Sequence, residues 1–112
     1  MLISSGAAVN QAKTDDGATP LFIASQKGQT KTVAFLVELG ANINQCMITA
    51  GWSPLFVAAW SGHTEVVRIL LAAGADKMVA TTVEHLDVEA DCTPLAIAVR
   101  LGHSEVSGLL LV

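Results

Sequence analysis

The sequence predicts an all-α chain: an α-rich solenoid of helix-turn-helix repeats, with hairpin or loop segments projecting between them. Recurring markers carry that expectation. Thr19-Pro20-Leu21-Phe22 returns as Ser53-Pro54-Leu55-Phe56 and again as Thr93-Pro94-Leu95-Ala96. Gly28, Gly62 and Gly102 each follow that Pro by eight residues, and Gly6-Ala7, Gly40-Ala41 and Gly74-Ala75 recur every 34 residues. Markers that repeat in phase mean one supersecondary unit copied along the chain, each copy burying its apolar face on its neighbours.

The elements follow in order, within a single array over residues 1–112. Residues 1–12 read as the end of a partial repeat, with Leu2 and Ile3 matching Leu36 and Val37. Repeat one covers 16–45, repeat two 50–79, and a truncated repeat three 90–112. In each, Thr19, Ser53 or Thr93 is expected to cap a helix, because its hydroxyl accepts from an orphan N–H of the first turn. Pro at the next position has its φ preset and lacks an N–H that would find no helical partner anyway. Leu21 and Ala24, then Leu55 and Ala58, follow at i, i+3, and the Gly eight residues after Pro closes a short helix by taking a left-handed conformation. A second helix is expected over Thr30 to Leu39, Thr64 to Ala73 and from Ser104 onward. There Val33, Leu36 and Val37, and likewise Val67, Leu70 and Leu71, make an apolar stripe at i, i+3, i+4. The connecting segments are turn-rich: Asp16-Gly17 is a β-turn signal, weakened at Ala50-Gly51 and lost at Ala90-Asp91. Pro spacing is 34 and then 40, so six extra residues lie between Gly74 and Pro94, which places an acidic inserted loop at about 77–89.

Composition excludes several classes. Hydrophobic residues make up 52% of the chain and charged residues 14%, which is not the composition of a disordered, charged segment. The net charge of −4 is concentrated between Asp76 and Asp91, where Asp76, Glu84, Asp87, Glu89 and Asp91 face Lys77 alone. Nucleic acid and anionic membranes are therefore not expected partners, since both need clustered cations. The uncharged stretch from Leu39 to Thr64 contains Asn42, Asn44, Gly51, Pro54 and Gly62, which interrupt any spanning helix. Cys46 and Cys92 are expected to be reduced thiols of a cytoplasmic protein, with the nucleus also compatible.

Helix, tight turn, helix and outstretched hairpin at this period resemble the ankyrin repeat. The Thr-Pro-Leu motifs, the helix-joining Gly, the pairs Leu70-Leu71 and Leu110-Leu111, and Gly40-Ala41 through Asn44 carry the resemblance. It covers nearly the whole chain and implies a non-catalytic module that binds a protein partner through the concave face of the stack. The sequence also departs from the family. The His expected after Thr-Pro-Leu is Phe22, Phe56 or Ala96, which substitutes apolar packing for a polar link between repeats. Gly6 to Pro20 and Gly40 to Pro54 are each one residue longer than usual, and Ser107-Gly108 weakens the last helix. The chain starts and stops inside helices, so a longer array, self-association at the uncapped ends, or a docking segment of a larger multidomain enzyme, channel or signalling protein is the expected alternative.

Candidate chemistry is sparse. His63 and His103 recur at one repeat position and read as caps of the second helices. His85 with Glu84, Asp87, Glu89 and Asp91 lacks the spacing of a calcium loop. No catalytic, metal or cofactor site is expected. The acidic insertion reads either as electrostatic selectivity for a basic partner or as a tolerated loop lengthening. The resemblance places partner contacts at Ala18, Gln26, Lys27, Trp52, Trp60, Ser61, Cys92 and Arg100, with Asp15, Asp16 and Thr49 at hairpin tips. Trp52 and Trp60 are expected as neighbouring exposed indoles that anchor the contact, or else as indoles packed on loop residues such as Met47 or Ile48.

Overall fold

A computed structural model describes residues 17–47, 51–82, 88 and 90–111. The described residues form six helices in antiparallel pairs: α1 (Pro20–Lys27) with α2 (Thr30–Glu38), α3 (Pro54–Ser61) with α4 (Thr64–Ala72), and α5 (Pro94–Leu101) with α6 (Ser104–Leu111). The first helices stack in one layer in the order α1, α3, α5, and the second helices form the layer behind them. This is the all-α repeat fold expected from the markers, and Pro20, Pro54 and Pro94 begin equivalent helices along it.

Local chemistry sets each start and stop. The N–H groups of Phe22, Phe56 and Ala96 donate to the capping hydroxyls of Thr19, Ser53 and Thr93 at 3.2, 3.0 and 3.2 Å. Gly28, Gly62 and Gly102 end the first helices at φ 69°, 76° and 77°. The chain then turns at once into the next helix, with the N–H of His63 returning to the Ala58 carbonyl at 3.0 Å. In α6 the Ser107 hydroxyl donates to the His103 carbonyl at 2.9 Å, so the weak helix former there is tied to its own turn.

Packing follows the size of the side chains. Ala24, Ala58 and Ala98 are fully buried between first helices, where their single methyl groups let backbones approach. Leu21, Leu55, Ile97, Val33, Leu36, Val67 and Leu70 fill the space between layers. Second helices contact one another less than first helices do. Phe22 and Phe56, at the family's usual His position, are 4% and 1% exposed and pack as apolar side chains.

The connecting segments differ from regular strands. Among the described residues only Val88 sits in an isolated bridge; the others turn. Met47 N–H donates to the Trp52 carbonyl at 3.0 Å, and Gly51 N–H donates to that of Met47 at 3.1 Å. Thr81, Cys92 and Asp91 repeat this pattern at 3.0 and 2.8 Å, with the Cys92 N–H also donating to the Thr81 hydroxyl at 3.0 Å. Thr81 and Cys92 thus close the base of the segment between the second and third helix pairs. The turn that sequence alone marks as lost is present: Asp91 takes Gly51's role at φ 61°, a conformation Asp tolerates better than most residues.

Candidate functional site

Helix ends define the surface on which the contact positions lie. Gln26 and Lys27 of α1, Trp60 and Ser61 of α3, and Arg100 and Leu101 of α5 occupy the same two positions in successive repeats. The α1 and α5 residues are exposed, whereas Trp60 and Ser61 are half-buried. These positions follow the buried Leu/Ala face by a turn, and the half-buried Trp60 still packs against the core cluster.

Two histidines hold that backbone in place. His63 Nε2 lies 3.0 Å from the carbonyl oxygen of Gln26, and His103 Nε2 lies 3.2 Å from that of Trp60. A carbonyl only accepts, so each Nε2 carries the proton. Sequence reasoning expects both rings to cap their own second helices. Instead His63 makes no side-chain cap bond, and both rings reach back to the preceding repeat. Gly28 and Gly62 make room for this: an added Cβ would stand 2.7 Å from the His63 ring and 2.8 Å from the His103 ring. The signal was legible, since Gly-His recurs where a repeat follows another, but its direction across the interface was not.

Burial corrects the contact set. Ala18, Trp52 and Cys92, at the equivalent position before each N-cap, are 4%, 2% and 3% exposed and therefore lie in the core. Trp52 is thus not an exposed anchor. Its ring packs on Phe56 with centroids 4.8 Å apart and meets Trp60 edge-on at 5.2 Å. Met47 packs against the core cluster that contains Trp52, and Ile48 lies outside the described residues. Asp15, Asp16 and Thr49 lie outside the described residues, as do Glu84, His85, Asp87 and Glu89.

The comparison with known families gives this arrangement its name. A family model described as ankyrin repeats (3 copies) matches residues 1–81. The chain belongs to the ankyrin-repeat family. The match ends where the hairpin with extra residues begins, and the third ankyrin pair, α5 and α6, repeats the capping and packing of the first two. No curated protein matches the chain. Ankyrin repeats are generally protein–protein interaction modules and typically non-catalytic.

Other chemistry is thin around this ankyrin surface. Among the described residues no group of His, Cys, Asp and Glu is placed to hold a metal ion. No described helix is long and apolar enough to cross a membrane. Cys46 donates to the Asn44 carbonyl at 3.5 Å, and burial pushes its thiol above the usual value, which lowers its thiolate content.

Proposed function

We propose that this ankyrin-repeat chain is a non-catalytic scaffold module that holds a protein segment on its concave side, across the row of first-helix ends. One observation carries the reading. Gln26 and Trp60 project outward from backbone whose carbonyls are locked by the next repeat's histidine. Fixed backbone with side chains that differ between copies lowers the ordering cost of binding. The partner-contact set becomes Gln26, Lys27, Trp60, Ser61 and Arg100. Cys46 and Cys92 are not joined in a disulfide, which supports a cytoplasmic setting.

Random dodecapeptides selected on the immobilised chain test this directly. Trp60→Ala is expected to weaken the selected binders by about tenfold, as loss of an aromatic anchor does. Glu38→Ala, on the exposed outer side of α2, is expected to leave them unchanged. Failure to select any binder, or binders lost with Glu38→Ala and kept with Trp60→Ala, would reject the proposed face.

A second reading, a docking segment of a larger multidomain protein, is favoured by Val99. It is 62% exposed, although the equivalent Ser25 and Ala59 are covered by a following repeat. A mass that rises with concentration and reverts with Val99→Lys would favour this reading; a monomer at all concentrations would count against it.

A further inference from the structure

Resting on the docking reading above, we propose that the exposed side of the third helix pair takes a further helix pair of the same kind, stacked in register. That pair sets a histidine ring against Gly102, as His63 is set against Gly28 and His103 against Gly62.

The two joints inside the stack show what covers such a face. In the first pair Phe22 and Ser25 are buried and Val37 is half-buried, and in the second Phe56, Ala59 and Leu71 follow the same pattern. The third pair presents the equivalent Ala96, Val99 and Leu111, all exposed, the last two at 62% and 70%. Ala96 and Val99 are three residues apart and so share one face of α5. Leu101 adds an exposed apolar side chain where the first two pairs carry Lys27 and Ser61. Large apolar side chains grouped on one side mark a contact surface. Here that surface continues, position for position, the joints already made by α1 with α3 and by α3 with α5.

The turn after α5 has the geometry of the other two. The glycines lie at φ 69°, 76° and 77°. The N–H groups of Gln29, His63 and His103 return to the carbonyls of Ala24, Ala58 and Ala98 at 3.0, 3.0 and 2.9 Å. At Gly28 and Gly62 an imidazole of the following repeat fills the space that a Cβ would take. Around Gly102 no described residue comes within 4 Å of that point, and the glycine is exposed while the other two are half-buried. A second copy of the chain fits this turn less well. Its first described pair carries Gln29 where the others carry histidine, and its His63 and His103 are already engaged inside the stack.

A chain lengthened in phase tests the proposal. A copy of residues 39–72 joined after Val112 places a fourth proline-led helix at the 34-residue spacing of Pro20 and Pro54, with its own Gly-His turn. The added pair is expected to raise the helical circular dichroism signal by about a third, as three pairs become four, and to raise the urea midpoint. Val99→Lys is expected to leave the native midpoint unchanged, because the residue is exposed, and to lower that of the longer chain. Gly102→Ala is expected to lower the longer chain's midpoint by more than the native chain's, since the copied ring must give way. His63→Ala made in the copy alone is expected to remove that difference. If Val99→Lys separates the two chains while Gly102→Ala lowers both equally, the docking face stands and the histidine contact is overturned. A longer chain with no added helix, or one that neither variant lowers beyond its effect on the native chain, would overturn the docking reading as well. A native dimer broken by both Val99→Lys and Gly102→Ala would assign the face to a second copy and overturn the proposed occupant.

Discussion

Gly28 and Gly62 meet two demands that only glycine satisfies together. Their φ angles lie in the left-handed region, and the histidine ring of the next repeat sits where a Cβ would go. Gly102 meets the first demand alone, since an added Cβ there meets nothing within 4 Å. Gly102→Ala is therefore expected to cost about 1 kcal/mol, the left-handed penalty of a non-glycine residue. Gly62→Ala is expected to cost more, about 2 kcal/mol or above, because His103 must also give way. Equal shifts in urea midpoint for the two variants would show that the ring moves without cost. The tryptophans make a similar contrast: Trp52 is a core residue and Trp60 a surface one, though they stand at matching distances from a cap and a helix end.

Each first helix is only two turns long, too short to persist alone in water, so its stability comes from what it packs on. The hydroxyl cap and Pro select where it starts, the glycine where it stops, and the alanine stripe sets its distance from the next first helix. Ala58 is fully buried in α3, the helix that packs on both α1 and α5. Ala58→Leu is expected to destabilise by about 1–3 kcal/mol through overpacking. The same exchange at exposed Ala72 of α4 is expected to stay within about 0.5 kcal/mol. Thermal melts that fail to separate the two would mean the first helices have slack between them.

Across the molecule, stability passes from neighbour to neighbour, and the histidine links are part of that path. His103 ties the third repeat to the second through the Trp60 carbonyl. His103→Ala is expected to lower overall stability by about 1 kcal/mol. It is also expected to speed amide exchange in α5 and α6 more than in α1 and α2. Uniform acceleration across all helices would show that the repeats open together rather than from an end. Because the same bond holds the backbone of Trp60, cohesion of the stack and order of the contact row rise and fall together.

Repeat count, helix starts and stops, and the buried Leu/Ala stripe were legible in the chain because caps, glycine turns and apolar periodicity are local signals. Thr19, Ser53 and Thr93 cap where their hydroxyls say they should, whichever repeat lies beside them. Long-range relations were not legible. That Trp52 is buried while Trp60 is half-exposed, that His63 and His103 reach backward, and that Asp91 keeps a glycine turn all depend on how one repeat lies against the next. A side chain's own neighbours in sequence set its backbone; only the distance and tilt between stacked helices settle whether it meets solvent, a ring or a carbonyl.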